Sequence, residues 1–276
     1  MERGATVLLL HGITDDAQPS HRWSWPAQID KSMAASHLSV RVPQDRVIAP
    51  DYRRALVRKA GLSGTPRTLP RTARPVDTDI RNAEQRRLQS ILGKHRPSYL
   101  SPRRAVDSVL VTGARRAAVG KYSQLGVWTS SARVRADVVH QVLQVLPEAG
   151  EVVVVAHSLG SMVAIELLPY LPTGLAVARL ITLGSPATQR TFRELYPPSD
   201  LRLRSHLVRS WANFWSTGDP ACGGRGLSGI FPGVLDLKIR MPLPRHSALD
   251  YLGRPVVGKA IGDALKGADG RLSRAQ

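Results

Sequence analysis

The chain has 276 residues, 42% of them apolar, with 39 Lys or Arg against 21 Asp or Glu, a formal net charge of +18 and one cysteine. That length holds one large α/β domain or two small ones, and the composition is that of a globular protein with enough chain to bury a sizeable core. A single Cys222 excludes an internal disulfide, and no Cys/His cluster has metal-ligand spacing, so a reducing compartment and no metal are expected.

No run of about twenty apolar residues occurs. The apolar stretch Val7 to Leu10 behind Arg3 is too short for the core of a signal peptide, so a cytoplasmic location is expected. Thr6–Leu10 reads instead as a buried first strand that runs into His11-Gly12-Ile13. Residues 13–22 are polar and turn-rich. Residues 23–37 read as a helix, with Trp25, Ile29 and Met33 at four-residue spacing. A second strand is expected around residues 46–49, ended by Pro50-Asp51-Tyr52.

The pattern then changes. Gly61, Gly64, Pro66, Pro70 and Pro75 lie among Arg and Thr and mark a loop. Residues 77–92 read as an amphipathic helix, with Ile80, Leu88, Ile91 and Leu92 on one stripe and Asp77 or Thr78 as cap. Residues 103–122 read as a second helix with Val106, Val109, Leu110 and Ala114 inward, weakened by Gly113 and Gly120. Between Arg53 and Arg135 stand 19 Lys or Arg and only four acids (Asp77, Asp79, Glu84 and Asp107), so most of the excess charge sits in this stretch. Such a long, irregular, basic segment between core elements is expected to form an inserted lid or cap. Its arginines either attract an anionic lipid surface, nucleic acid or an acidic substrate, or simply cover solvated helix faces. No aromatic interleaving or nucleic-acid motif accompanies them, so nucleic acid is not an expected partner.

The core pattern resumes at residues 131–146, a helix with Val134, Val138, Val142 and Val145 at helical spacing, stopped by Pro147 and Gly150. Residues 151–157 form a buried strand and 159–171 a helix. A further strand, 177–183, ends in Gly184-Ser185-Pro186. Residues 207–215 and 235–239 are the last strands, and 256–265 a closing helix. Alternating strands and helices predict a mostly parallel sheet with helices on both faces. The expected organisation is a single domain, with core residues 1–52 and 123–267, the insertion 53–122 and a frayed tail 268–276.

Parallel sheets carry their sites at the carboxyl ends of strands. His11, Ser158, Asp219 and His246 all fall just after predicted strands. Ala156-His157-Ser158-Leu159-Gly160 has the form of a nucleophile elbow, a sharp strand-to-helix turn that exposes a serine; Ala156 and Gly160 are small so that strand and helix can pass closely. A serine hydroxyl needs a base within reach, for which His246 is the candidate, and Asp219 would hold the imidazole in the right tautomer. His206 is a weaker base because it precedes its strand, and His11 adjoins the glycine loop, where it would support that loop by hydrogen bonding. Asp200, Asp236 and Asp250 rival Asp219. Asp236 lies in an alternating strand and is expected to face solvent. The backbone N–H groups of Ile13 and Leu159 are the expected oxyanion donors, with Gly12 allowing close approach. Gly223-Gly224-Arg225-Gly226 lacks the spacing of a phosphate cradle, Asp15-Asp16 lacks partners for a metal, and Trp23 and Trp25 are read as helix packing near the oxyanion loop.

Over residues 6–52 and 131–251 these motifs resemble the α/β-hydrolases of the lipase and esterase kind. They are particularly similar to the group that includes lipases and inositol-deacylase-like serine hydrolases. The likeness rests on His11-Gly12-Ile13, the His157-Ser158-Leu159-Gly160 elbow, Gly184-Ser185-Pro186, Gly218-Asp219-Pro220 and His246-Ser247. Ala156 departs from the commoner glycine. The resemblance implies an acyl-enzyme on Ser158 and no cofactor, and does not fix the acyl donor; taken with the arginine-rich insertion, it leads to the expectation of a small-molecule or lipid ester substrate and peripheral contact with an anionic membrane surface. The alternative expectation is a non-catalytic or acyl-transferring protein of the same fold that binds an anionic partner through its basic insertion.

Overall fold

A computed structural model of the chain describes residues 4–13, 21–57, 68–92, 123–241 and 245–274. Among them, six strands form one parallel sheet: β1 (Thr6–Leu10), β2 (Val47–Ile48), β3 (Ala149–His157), β4 (Gly174–Leu183), β5 (Trp211–Trp215) and β6 (Leu235–Lys238), in the order β2-β1-β3-β4-β5-β6. The helices are α1 (His21–Ala34), α2 (Arg53–Val57), α3 (Thr78–Leu92), α4 (Ser123–Ser130), α5 (Ala132–Leu143), α6 (Leu159–Leu167), α7 (Arg190–Arg193), α8 (Pro198–His206), α9 (Ala248–Leu252) and α10 (Pro255–Arg274).

The unbroken valine run of β3 has a direct cause. A parallel strand covered by helices on both faces needs apolar residues at every position. Val152 and Val154 join Leu8, Leu10 and Leu180 on the face packed by α4, α5 and α6, through Trp128, Val138, Val142 and Met162. Val153 and Val155 join Val7, Leu9, Ile181 and Phe214 on the opposite face, packed by α1, α3 and α10 through Ile29, Met33, Leu88 and Ile261. Each such side chain contributes about 1.5–3 kcal/mol by leaving water. Ser131 caps α5 by accepting a hydrogen bond from the Val134 N–H at 3.2 Å.

Two expectations about the ends of the core are corrected. The helix over 77–92 forms, but as a core element rather than as part of a cover. Leu88 and Leu92 are buried with α10, and Gln85 brackets Trp211, donating to its carbonyl and accepting from its N–H. Trp211 begins β5, so α3 reaches the end of the sheet remote from the strand carboxyl termini. Residues 93–122, which carry the second predicted helix of the insertion, lie outside the described residues. The tail expected to fray from 268 instead continues α10 to Arg274. Ala268 is fully buried, and Arg271 ion-pairs with Glu84 at 2.6 Å and with Glu151 at 3.0 Å; Glu151, near the start of β3, also receives Arg209. Those carboxylates hold the last turns against the sheet. Among the described residues no helix is long and apolar enough to cross a membrane.

Candidate active site

The register aligns the strand ends that matter. Leu10 pairs with Ala156, His157 with Leu183, and Leu183 with Phe214. The loops after β1, β3, β4 and β5 therefore emerge side by side at one edge.

Ser158 sits between β3 and α6 with φ +54° and ψ −127°, a region that costs a non-glycine residue about 1–3 kcal/mol. Its neighbours fix that conformation. The Ser158 N–H donates to the Leu183 carbonyl at 3.0 Å, and its carbonyl accepts from Ser161 N–H at 2.9 Å and Ser161 Oγ at 2.6 Å. Ser161 and Ser185 are linked in turn at 2.7 Å, tying the elbow to the end of β4. The small residues have steric causes. A Cβ at Gly160 would fall 2.1 Å from the Leu10 carbonyl oxygen, and one at Gly12 would fall 2.6 Å from Ser158 Cβ. The loop after β1 therefore lies against the serine, with Ile13 next in sequence. Leu159 opens α6, in the turn whose N–H groups have no partner within the helix.

The structure brings the three predicted side chains together. Ser158 Oγ lies 2.7 Å from His246 Nε2, and His246 Nδ1 lies 2.9 Å from Asp219 Oδ2. The Asp219 side chain is fully buried while that of His246 keeps 28% of its exposure, so the imidazole faces a wet edge and the carboxylate does not. A buried carboxylate needs its lone pairs filled. Asp219 Oδ1 accepts from the Ala221 N–H at 2.8 Å, and Oδ2 accepts from both His246 and the Tyr251 hydroxyl, the latter at 2.7 Å. Gly184, at φ +55°, runs beside them: a Cβ there would fall 2.6 Å from Asp219 Oδ2.

A group of aromatic rings backs His246. The His157 ring lies 4.6 Å from it, and Trp25 meets His157 edge-on at 6.4 Å. His11 stacks on Tyr52 at 4.3 Å and lies 4.7 Å from His21. His11 Nδ1 donates to the Gly12 carbonyl at 2.7 Å, and the Tyr52 hydroxyl donates to the His11 carbonyl, so both tie down the glycine loop. Burial pushes His11, His21 and His157 below the usual imidazole range, His21 to about 3, with neighbouring imidazoles adding to the effect at His21 and His157. All three are neutral at pH 7.

The remaining rivals lie elsewhere. His206 ends α8, and Asp200 in the same helix pairs with Arg71. Asp250 pairs with Arg245. Asp236 is corrected: it is 2% exposed rather than solvent-facing, and accepts from Asn213 Nδ2 and from the N–H groups of Leu227 and Ser228, each at 2.8 Å. Trp25 is buried, whereas Trp23 is exposed and meets Arg22. Asp15 and Asp16 lie outside the described residues. Sequence reasoning missed Tyr251 and the Ser161–Ser185 link. Tyr251 lies 32 positions from Asp219, in the short helix that begins just after His246, with no motif to mark it. Among the described residues no group of three or more His, Cys, Asp or Glu could hold a metal ion.

A model of the family described as "Alpha/beta hydrolase family" matches residues 7–258. No curated protein matches the chain.

Proposed function

The chain belongs to the alpha/beta hydrolase family, and we propose that within it the protein is a serine hydrolase that cleaves carboxylic esters through an acyl-enzyme on Ser158. The observation that carries this reading is the continuous run from Ser158 Oγ through both nitrogens of His246 to the buried Asp219, with links of 2.7 and 2.9 Å.

In this reading Ser158 Oγ attacks the acyl carbon while His246 Nε2 takes its proton. Asp219 accepts from Nδ1–H, keeps Nε2 free to act as base, and stabilises the imidazolium that forms. The carbonyl oxygen gains negative charge and accepts from the N–H groups of Ile13 and Leu159. Collapse of the tetrahedral intermediate breaks the ester C–O bond, and His246 returns the proton to the departing alkoxide. Water then attacks the acyl-enzyme, with His246 as base, and releases the carboxylic acid and the free serine. The substrate class is a small-molecule or lipid ester.

Turnover of p-nitrophenyl esters from acetate to laurate tests the proposal. Wild type hydrolyses at least one chain length, and Ser158→Ala lowers kcat by at least about 10³-fold with the fold intact. Equal turnover by the two proteins overturns it.

A further inference from the structure

We propose that Tyr251 is a positioning residue for this site: its hydroxyl clamps Asp219 Oδ2 in the place where that oxygen receives His246 Nδ1. The inference rests on the serine-hydrolase reading above.

The Tyr251 ring is fully buried, so its hydroxyl must find a partner inside the protein. The partner is the one carboxylate oxygen that also faces the histidine, at 2.7 Å. With Ala221 N–H on Oδ1, three donors hold the Asp219 carboxylate, and it cannot rotate without losing them. Behind the tyrosine, Cys222 Sγ lies 3.6 Å from the hydroxyl oxygen. Burial, reinforced by the Asp219 charge, pushes both the Tyr251 hydroxyl and the Cys222 thiol up, so both stay protonated and the phenol is the donor to Asp219.

Chain placement strengthens the argument. Tyr251 lies in α9, which follows His246 directly, so one short segment delivers two donors to one carboxylate. The Arg245 N–H adds a backbone link to the Gly218 carbonyl at 3.1 Å. The histidine-bearing segment is thus fastened to the loop after β5 on both sides of His246. The groups facing the pair are Ser158, the neutral His157, Tyr251 and Cys222, while the charged Arg245 and Asp250 pair with each other at 2.8 Å. Losing the phenol donor leaves the Asp219 charge shared with one partner fewer and the carboxylate freer to turn, which strengthens its hold on the imidazolium and loosens the base.

The test compares wild type with Tyr251→Phe and with 2,3-difluorotyrosine incorporated at 251. The fluorinated residue keeps the ring and makes the hydroxyl a stronger donor, so it remains informative where the Phe variant fails to fold. For Tyr251→Phe the expected result is kcat lowered about tenfold with KM little changed, on the scale of one hydrogen bond to a charged group. The acid limb of kcat/KM moves to higher pH in Tyr251→Phe and to lower pH in the fluorinated protein. A folded Tyr251→Phe with wild-type kcat and acid limb, or a loss confined to KM, overturns the inference. The His246 imidazole followed by NMR gives a readout without turnover. If wild type hydrolyses no ester yet Tyr251→Phe raises the titration of His246, the clamp stands and the hydrolase reading fails. If that titration does not move, the clamp fails.

Discussion

Gly184→Ala is a sharp probe of how closely the fold is fitted around the acid side of the site. Gly184 has φ +55°, and a Cβ there would stand 2.6 Å from Asp219 Oδ2, 3.1 Å from Tyr251 Cε2 and 3.2 Å from His246 Cε1. Ordinary contact begins near 3.4 Å, so the carboxylate must retreat by roughly 0.8 Å or the end of β4 must shift. The backbone resists the second option, because the Gly184 N–H is bonded to the Phe214 carbonyl at 3.0 Å and Leu183 holds the Ser158 N–H. The left-handed conformation adds about 1–2 kcal/mol for alanine, and overpacking about 1–3 kcal/mol. The expected destabilisation is therefore about 2–5 kcal/mol, a fall in Tm on the order of 5–15 °C. Displacing Asp219 by a large fraction of an ångström carries His246 with it, and kcat falls about 10–100-fold. Thermal melting and ester turnover on the same preparation measure both. A variant with wild-type Tm and wild-type kcat refutes the reasoning.

Other perturbations follow from the same structure. Asp236→Ala removes the acceptor for Asn213 Nδ2 and two loop N–H groups in a site closed to solvent. Urea unfolding should show a loss of about 3–5 kcal/mol, while the folded fraction keeps its ester turnover. Acid destabilisation should begin well above the carboxylate range. His11, His21 and His157 refuse a proton when folded but accept one near pH 6.5 when unfolded, so stability is full above about pH 6.5 and falls as pH drops below it. Each contributes up to about 1.4 kcal/mol per pH unit in that window. The urea midpoint should fall between pH 7.5 and 5.5, and a flat midpoint contradicts the assignment. His21→Gln should shallow the slope.

The elbow was legible because its constraints are local. A valine run bounded by small residues and followed at once by an apolar helix specifies strand, tight turn and helix, and Gly160 is demanded by the Leu10 carbonyl that the turn must pass. The order of Ser158, Asp219 and His246 was legible because each follows an apolar strand whose end lies on the same edge. Asp236 reads as solvent-facing because Leu235-Asp236-Leu237-Lys238 alternates as a half-exposed strand does, yet the carboxylate turns inward to satisfy the loop amides of Leu227 and Ser228. Helix α3 reads as part of a cover because it lies in a long, irregular, basic segment between core elements. What makes it core is a set of long-range contacts, Gln85 with Trp211 and Leu88 with α10, which periodicity cannot show. The end of α10 was hidden for the same reason, since Arg271 finds Glu84 and Glu151 only once the sheet has formed.

An activated serine at the elbow is read out by intact mass after exposure to a fluorophosphonate, with Ser158→Ala and His246→Ala alongside. The expected result is a single covalent adduct on wild type, none on Ser158→Ala, and strongly slowed labelling of His246→Ala. A folded wild type that takes up no adduct, or a Ser158→Ala variant that labels like wild type, contradicts it.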